Sequence, residues 1–488
     1  MKNLRKISEY AEFLKNYLLE YQVNDDFEVE SVFSDSGKCT AGTVFCAVKG
    51  VKTDGNAFVN DALSRGAGCI VSANENKYGS NNFLQVSDDR MAYSEMQRFF
   101  YGEPDRNLSL VGVTGTNGKT TSVYLFFALL RKLGRNPAIF STVQNFDGRN
   151  YNDSQCTTPD AGVLFDFCRR ALDNGADHLL LECSSHALSQ SRLGNSMFKT
   201  AVFTNLTGDH LDYHQDMENY FAAKKILFYR NLAPDGTAVI NIDDSYGARL
   251  AEELKNAGRN VKTFGFSNSA DMHMDIIDTK FYLNGRELKT SLFGRHNFYN
   301  ITGVLGALTA IGFEFDRCFR ILAAENIAVP GRLEKIELGQ HGTAFVDYAH
   351  TDDALQNVLA ILREEAKLRN GKVICVFGCG GDRDRSKRPR MGRVASELAD
   401  EFILTSDNPR SEKPDDIIKE ILQGCSKAPL AIRLDRREAI KAAFEHSGAN
   451  DFILVAGKGH EKEQQFRDRK IYFDDCQELR NLLRGKEL

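Results

Sequence analysis

The sequence of 488 residues contains no Cys-x2-Cys pair, although its 11 cysteines extend from Cys39 to Cys476. A structural zinc site usually needs cysteines paired at that close spacing, and a disulfide framework usually needs an even number of them. The sequence therefore predicts neither kind of site. We expect reduced, mostly buried thiols of the kind found in cytosolic proteins.

Long apolar runs are also missing. No stretch approaches the ~18 consecutive apolar residues that a membrane-spanning helix needs, and residues 1–22 mix Glu and Lys among their apolar positions. This pattern lacks the uninterrupted apolar core of a signal peptide. We therefore expect a cytoplasmic protein that has no membrane partner.

Charge of one sign is not in large excess, since 62 Lys and Arg residues face 67 Asp and Glu residues and the net charge is −5. A chain without a strong overall field has no general attraction for nucleic acid. Any basic site must therefore be local. We expect small-molecule substrates, no nucleic-acid partner and a monomer.

Length and the order of apolar segments indicate the fold. At about 150 residues per domain, this length suggests about three domains, and 42% hydrophobic residues supply a core for each. From residue 105 onward, short runs rich in Val, Ile, Leu and Phe alternate with segments of helical length, which is typical of doubly wound α/β sheets. We predict a smaller mixed α/β domain at 1–104, a central P-loop-type sheet at 105–332 and a Rossmann-like α/β domain at 333–488.

The strongest chemical signal is segment 110–122, LVGVTGTNGKTTS. An apolar strand enters a Gly-rich turn and a helix follows, so backbone amides can bind phosphates while Lys119 reaches the outer ones and Thr120 holds magnesium. The strict spacing is not met, because Val113 stands where the first glycine belongs and Gly112 comes one residue early. We predict a nucleotide-phosphate site, which consists of Gly115, Thr116, Asn117, Gly118, Lys119, Thr120 and Thr121.

Two further polar residues follow predicted strands, Glu182 after HLLL and His210 after TNLTGD. Ligands bind outside the carboxyl ends of strands in open α/β sheets, so these side chains are candidates for a second magnesium position. In the helical segment NYFAAKKILFYR, Lys224 lies on an apolar stripe, but its neighbour Lys225 lies almost as close to one. Periodicity alone does not choose between them, and a lysine that extends out to solvent is the simpler interpretation.

Three more strand ends, all within 333–488, carry Gly or Pro turns together with charged residues. Arginine can form forked bonds to a carboxylate, and Asp and Asn can accept from an ammonium group. A solvated charged loop explains any one of them, but three together favour a site for a zwitterionic small molecule. The candidate residues are Arg383, Asp407, Asn408, Pro409, Arg410, Gly457 and Glu461.

These motifs, in this order, closely resemble those of the Mur ligases of peptidoglycan synthesis: TGTNGKTT, ECSSHAL, TNLTGDHLDYH, FAAK, GRHNFYN, VPGRLE, DYAHTDDAL, GCGGDRDRSKRP, DNPR and GKGHE. The resemblance spans nearly the whole chain, from Asp35 to Glu461. It implies an ATP-dependent amide ligase that phosphorylates a carboxylate of a UDP-linked muramoyl dipeptide. An amino acid then attacks the acyl phosphate, giving an amide, ADP and phosphate.

The resemblance also implies roles for individual residues. It implies catalytic roles for Lys119, Lys224, His210 and Glu182. It also implies that Lys224 is a carbamate, which holds Mg²⁺ together with Thr120, Glu182 and His210. The adenine, phosphate and ribose contacts fall on Asn297, Arg332 and Asp347. The UDP-muramoyl-dipeptide contacts fall on Ser36, Thr157, Thr158, Ser184, Gln190 and Arg192.

Some positions depart from the family pattern. Gly37 follows Asp35-Ser36 where an arginine is usual, Ala41 replaces a proline, and Asp352 replaces the proline that usually follows DYAH-Thr. The changes at Gly37 and Ala41 bear on uridine binding, and none of the three removes a group that the chemistry needs.

The incoming amino acid can be argued from charge. meso-Diaminopimelate carries a second amino-carboxylate that L-lysine lacks, and its carboxylate needs a cationic fork such as Arg410. The intact DNPR resembles the diaminopimelate-adding members, so we expect addition of meso-diaminopimelate to UDP-N-acetylmuramoyl-L-alanyl-D-glutamate. The L-lysine-adding ligase and a folylpolyglutamate-type ligase are the alternatives within the superfamily. A nucleotide-dependent switch or regulatory binding protein is the alternative from a different class. A GTPase of that kind should show Asn-Lys-x-Asp after the phosphate loop, whereas Asn76-Lys77 precedes it and lacks the Asp.

Overall fold

The structure is a computed structural model that describes residues 4–50, 53–154, 156–277, 280–290, 292, 294–324, 327 and 329–485. The chain divides into two compact units. The first comprises Met1–Lys289 and Arg295–Glu325, and the second comprises Thr290–Gly294 and Asn326–Leu488.

The first unit begins with a small mixed sheet. Its elements are α1 (Ile7–Phe13), β1 (Leu18–Val23), β2 (Ser31–Phe33), β3 (Thr43–Cys46), α2 (Val59–Ser64), β4 (Cys69–Ser72), β5 (Asn82–Val86) and α3 (Asp89–Phe100). The strand order is β1-β5-β4-β3-β2, with β2 to β5 parallel and β1 antiparallel at one edge. Every residue of β3 and β4 is buried, as expected for parallel strands that are covered on both faces.

The second sheet of this unit is larger. Its elements are β6 (Ser109–Thr114), α4 (Lys119–Lys132), β7 (Pro137–Phe140), β8 (Gln144–Phe146), β9 (Tyr151–Asp153), α5 (Ala161–Asp173), β10 (His178–Glu182), α6 (Ser185–Ser189), β11 (Phe198–Phe203), α7 (Leu211–His214), α8 (Met217–Tyr229), β12 (Leu232–Asn241), α9 (Ser245–Asn256), β13 (Asn260–Gly265), β14 (Met272–Ile277), β15 (Lys280–Leu283), β16 (Arg286–Glu287), α10 (Arg295–Ala310) and α11 (Phe315–Ala324). The strand order is β16-β15-β14-β13-β12-β11-β6-β10-β7-β8-β9.

Strand β6 lies in the parallel centre of this sheet, between β10 and β11. The register pairs Glu182 with Val113 on one side and Phe203 with Thr114 on the other. The three strands therefore end at the same edge of the sheet. The turn after β6, the carboxylate of Glu182 and the loop after β11 are brought together there.

The second unit contains β17 (Glu334–Glu337), β18 (Thr343–Asp347), α12 (Asp352–Leu368), β19 (Val373–Phe377), α13 (Lys387–Leu398), β20 (Glu401–Leu404), α14 (Pro414–Leu422), β21 (Ala431–Ile432), α15 (Arg436–His446), β22 (Phe452–Ala456), β23 (Glu463–Gln465), β24 (Lys470–Tyr472) and α16 (Asp475–Leu483). Its main sheet has the order β17-β18-β22-β19-β20-β21, with only β17 antiparallel, and β23 and β24 form a hairpin. The predicted α/β class, with its central and C-terminal doubly wound sheets, is confirmed.

The segment before β17 packs on the rest of the second unit. The amide of Tyr348 donates to the carbonyl of Gly331 at 3.0 Å, and a Cβ at Gly331 would lie 2.2 Å from the amide nitrogen of His460. Arg332 therefore belongs with the second unit in the structure. The three predicted domain ranges stay predictions.

All 11 cysteines are free thiols, and Cys156 is the exposed one. Within the part of the chain that the structure describes, no helix is both long enough and apolar enough to cross a membrane.

Candidate active site

The turn after β6 (residues 115–118, the phosphate turn) has a backbone that requires glycine at two positions. Gly115 has φ +150° and Gly118 has φ +86°. A Cβ at Gly115 would lie 1.9 Å from Thr204 Oγ1, and one at Gly118 would lie 2.3 Å from Asn300 Oδ1. The turn is thus held closely against the end of β11 and against α10, where any side chain would collide.

Hydrogen bonds from the loop after β11 fix the same turn. The carbonyl of Asn205 accepts from the amide of Thr116 at 2.9 Å, and its Oδ1 accepts from the amide of Asn117 at 2.9 Å. Thr204 Oγ1 donates to the carbonyl of Asn117 at 2.6 Å. The first amides of α4, which include those of Thr120 and Thr121, follow directly, and a helix N-terminus of this kind binds anions.

Two lysines meet on one carbonyl of this turn. Lys119 Nζ donates to the carbonyls of Gly115 and Thr116 at 2.9 and 2.8 Å. Lys224 Nζ donates to the same carbonyl of Gly115 at 2.8 Å. Burial, and then the nearby charge of Lys119, hold the pKa of Lys224 well below its usual range.

The structure distinguishes Lys224 from its neighbour, which the sequence pattern could not do. Lys224 is buried in α8, whereas Lys225 pairs with Glu253 of α9. Lys224 is therefore the lysine that lies at the phosphate turn.

Glu182 is fully buried and connects the phosphate turn with a second loop. Its Oε2 accepts from Thr120 Oγ1 at 3.0 Å, and its Oε1 accepts from the amide of Thr142 at 2.8 Å. Thr142 Oγ1 also lies 3.1 Å from Glu182 Oε2 and 3.1 Å from Thr157 Oγ1. Thr142 is not among the residues predicted from the sequence, although it follows β7 closely and ligands bind at such strand ends.

Four more of the candidate dipeptide-binding residues form one hydrogen-bond network. The hydroxyl of Thr158 donates to the carbonyl of Glu182 at 2.6 Å and accepts from the amide of Ser184 at 3.0 Å. Arg192 donates to the carbonyl of Thr158 at 2.8 Å and to Oε1 of Gln190 at 2.8 Å. Five of the six candidate dipeptide residues thus lie together, beside Glu182.

Ser36 lies apart from that network. Its hydroxyl bonds the carboxylate of Asp61, and this hydrogen bond is the main reason why the pKa of Asp61 is lowered. A pocket of about 120 Å³ lies between α3 and the loop after α6, and its lining includes Ser34, Gln190 and Arg192.

His210 is less integrated than the other predicted metal ligands. Its side chain is 48% exposed and its Nε2 lies 3.4 Å from Asp209 Oδ2, while its ring stands edge-on to that of His186, with centroids 4.8 Å apart. Among the described residues, no three His, Cys, Asp or Glu side chains are arranged to hold a metal ion. Thr120 and Glu182 are the predicted metal ligands that the structure shows in contact.

Asn297 connects α10 to the phosphate turn indirectly. It is buried, and its Oδ1 accepts from Asn300 Nδ2 at 3.1 Å. Asn300 is the residue that lies against Gly118. Asn297 thus lies one hydrogen bond away from the residue that contacts the turn.

In the second unit, Asp347 and Arg332 lie beside each other. Asp347 Oδ2 accepts from the amide of Leu333 and its Oδ1 from the amide of Ala349, both at 2.8 Å. Burial raises the pKa of Asp347 against the opposing charge of Arg332. The Arg332 guanidinium stands 5.3 Å from the ring centre of Tyr348.

The candidates for amino-acid binding converge at the ends of β19, β20 and β22. Arg410 Nη1 donates to the carbonyl of Gly381 at 2.8 Å, and Asn408 Nδ2 donates to Glu461 Oε2 at 2.8 Å. A Cβ at Gly457 would lie 2.5 Å from Asp407 Oδ2.

Two other candidates complete this edge. A Cβ at Gly381 would lie 1.9 Å from the carbonyl oxygen of Pro409, so the loops after β19 and β20 are in close contact. Arg383 is exposed on the first of these loops. The predicted residues of all three loops are therefore brought together.

A buried arginine fastens two of these loops. Arg388 is fully buried and bonds Glu412 through both terminal nitrogens, at 2.9 and 3.0 Å. Glu412 also accepts from the amide of Asp382 at 2.6 Å and from Arg385 at 2.8 Å. These bonds, those of Arg388 first, lower the pKa of Glu412 to about 2.

We expect Glu412→Gln to lower the free energy of unfolding at pH 7 by at most about 3 kcal/mol. The pKa of Glu412 is about 2 in the folded protein, whereas an unpaired glutamate has a pKa of 4.5. The stabilisation is therefore complete above pH 4.5 and declines as the pH falls toward 2. Urea unfolding followed by circular dichroism should thus show a gap between the two proteins that narrows from pH 7 to pH 3.5. Glu445→Gln, at an exposed position of α15, is the control, and a gap of constant size would contradict the assignment.

Two family profiles match this chain. The Mur ligase middle domain matches residues 113–308, and the Mur ligase glutamate ligase domain matches residues 331–459. The first contains the phosphate turn and Glu182, and the second contains the three converging loops.

Curated relatives match nearly the whole chain. The UDP-N-acetylmuramoyl-L-alanyl-D-glutamate--2,6-diaminopimelate ligase of Clostridium perfringens (strain 13 / Type A) is 36% identical over 484 residues, which cover 96% of this chain and 98% of that one. The ligase of the same name from Parabacteroides distasonis is 39% identical over 468 residues, 94% of this chain and 95% of its own. A solved structure under that name is 32% identical, covers 99% of both chains and has a TM-score of 0.69.

Proposed function

Because the chain belongs to the Mur ligase family, we propose that it is an ATP-dependent amide ligase that adds meso-diaminopimelate to UDP-N-acetylmuramoyl-L-alanyl-D-glutamate. The relatives in C. perfringens and P. distasonis are named for this reaction. The protein would act in the cytoplasm as a monomer on small-molecule substrates. Its product would be a peptidoglycan precursor, and through it the enzyme would serve cell-wall synthesis, cell shape and division.

The observation that carries the proposal is the position of Glu182 between two networks. One side of the carboxylate bonds Thr120 at the N-terminus of α4, where phosphates bind. The other side bonds Thr142, which contacts Thr157. A nucleotide on the first network and a dipeptide carboxylate on the second would meet at one place.

The chemistry follows from the weakness of a carboxylate as an electrophile. A carboxylate oxygen of the dipeptide attacks the γ-phosphorus of ATP, and the bond to the departing ADP breaks. The uncharged amine of the amino acid then attacks the acyl carbon, phosphate leaves, and the new amide loses a proton. Lys119 would stabilise the outer phosphates during the first step, since positioning and charge neutralisation supply most of such catalysis.

The residues around Glu182 fit a magnesium ion. The Thr120 hydroxyl and the Glu182 carboxylate, 3.0 Å apart, are hard oxygen donors of the kind that Mg²⁺ prefers. His210 and a carbamate on Lys224 would complete the set. When bound, Mg²⁺ would neutralise charge on the phosphate oxygens.

Lys224 is suited to carry that carbamate. Only an uncharged amine attacks CO₂, forming an N–C bond and releasing a proton, and the lowered pKa of Lys224 favours the uncharged form. The product is an anion, and the nearby positive charge of Lys119 would stabilise it where it would destabilise an ammonium.

The substrates would be divided among three regions. Residues 1–104 would receive the uridine end near Ser36, residues 105–332 the ATP, with Asn297 near the adenine, and residues 333–488 the amino acid. Arg332 and Asp347 would contact the phosphate and the ribose.

A coupled assay tests the proposal. We expect ADP, phosphate and the tripeptide product to form in equal amounts, and only when ATP, the UDP-linked dipeptide and meso-diaminopimelate are all present. L-Lysine in place of meso-diaminopimelate should give much slower turnover. ADP release that does not depend on an amino acid, or a preference for lysine, would refute the proposed reaction.

A further inference from the structure

Lys458 is a fully buried lysine in the middle of the loop after β22. Its Nζ donates to Asn408 Oδ1 at 3.2 Å, to Glu461 Oε2 at 3.0 Å and to the carbonyl of Glu463 at 2.6 Å. An ammonium group has three donors, so these contacts use all of them. Lys458 therefore has no hydrogen left to offer to a ligand.

Asn408 is similarly occupied on its oxygen side. Its Oδ1 accepts from Lys458 and from the amide of Gln465 at 2.9 Å, which uses both lone pairs. Its Nδ2 donates to Glu461 Oε2 at 2.8 Å. These bonds fix the orientation of the amide and leave Asn408 as a link between the loops after β20 and β22.

The two contacts fall on one oxygen of Glu461. Lys458 and Asn408 both bond Oε2, while no described residue is shown bonding Oε1, and the Glu461 side chain is 30% exposed. A carboxylate held by one oxygen presents the other in a defined direction. That free oxygen is available to an ammonium group from solution.

We propose that Lys458 is a positioning residue, which holds Glu461 by one oxygen so that the other binds an ammonium group of the incoming amino acid. This inference rests on the proposed function and adds a residue to it. Burying a lysine costs free energy unless it is paired, and the pairing here falls on two residues of the candidate amino-acid site. Lys458 would thus act through Glu461 and Asn408 rather than on the substrate.

The test separates the amino-acid KM from the ATP KM in Lys458→Met. Removing one partner of a buried charge pair should raise the KM for meso-diaminopimelate about 30-fold or more, while the KM for ATP stays within a factor of three. Lys470→Met is the matched control, because Lys470 makes an exposed pair with Glu463 in the adjacent hairpin. The control should match the wild type in both constants.

A double-mutant cycle identifies the partner. If Lys458 acts through Glu461, Lys458→Met should raise the KM for meso-diaminopimelate much less in a Glu461→Gln background than in the wild type. Additive effects, or equal rises in both KM values, would overturn the proposal. Loss of cooperative unfolding in both Lys458→Met and Lys458→Gln would also overturn it, since Lys458 would then support the whole unit rather than the site.

The wild-type assay keeps the two hypotheses apart. Turnover of meso-diaminopimelate by the wild type establishes the proposed function before any variant is compared. Absence of that turnover would count against the proposed function, whereas turnover with an unchanged amino-acid KM in Lys458→Met would count against the positioning role alone.

Discussion

Replacing Lys224 with alanine is expected to lower kcat by about 10²–10³-fold, the loss typical of removing one group that stabilises charge in a transition state. The variant removes the only atom that could carry the proposed carbamate and also the bond to the carbonyl of Gly115. Steady-state kinetics with all three substrates measures the loss. Circular dichroism and a melting curve show whether the chain remains folded.

Lys225→Ala is the matched control, because Lys225 lies next in the same helix and pairs with Glu253 on α9. We expect its kcat to lie within a factor of three of the wild type. Removing dissolved CO₂ and bicarbonate should lower wild-type activity, and adding bicarbonate should restore it. Lys224→Ala should not respond. Equal activity of the two alanine variants, or no wild-type response to bicarbonate, would exclude the carbamate.

The central fold could be predicted because its strands are buried on both faces. In β6, β10 and β11 every residue is buried except Ser109 and Lys199, and helices separate these strands along the chain. The edges of the same sheet could not be predicted in this way. Strand β14 pairs with β13 in parallel, but β15 and β16 extend this edge by antiparallel pairing, which depends on a neighbouring strand rather than on a local pattern.

Site residues could be predicted from the sequence where they directly follow a strand. They could not be predicted where the answer depends on which face of a helix is buried. Glu182 and Arg410 were found because parallel strands end at a common edge. Lys224 and Lys225 could not be separated, since α8 has apolar residues on most of its circumference. Only the packing of α8 against the phosphate turn buries Lys224.

Lys458 shows a different limit. In a sequence, a lysine between two glycines resembles a solvated turn residue, and the motif directs attention to Gly457 and Glu461. Its role depends on burial and on acceptors contributed by the distant Asn408. Such a contact depends on tertiary structure, so no local sequence pattern predicts it.

Replacing Arg410 with alanine is expected to lower kcat/KM for meso-diaminopimelate by about 10²–10³-fold, the usual cost of removing one partner of a buried charge pair. A guanidinium has five donors, and one of those of Arg410 bonds the carbonyl of Gly381. The others would serve the second carboxylate of the amino acid. The KM values for ATP and the UDP-linked dipeptide should stay within a factor of three.

L-Lysine makes this prediction specific, because it lacks the carboxylate that Arg410 would bind. Its kcat/KM should change little in Arg410→Ala, so the preference for meso-diaminopimelate over lysine should collapse. Arg433→Ala removes an exposed arginine of the same unit, whose side chain bonds the carbonyl of Ile432, and should leave both values unchanged. An equal loss of kcat/KM for both amino acids in Arg410→Ala would contradict this role. Arg410 would then support the loop, where its φ of 50° indicates a constrained backbone, and other residues would determine the selectivity.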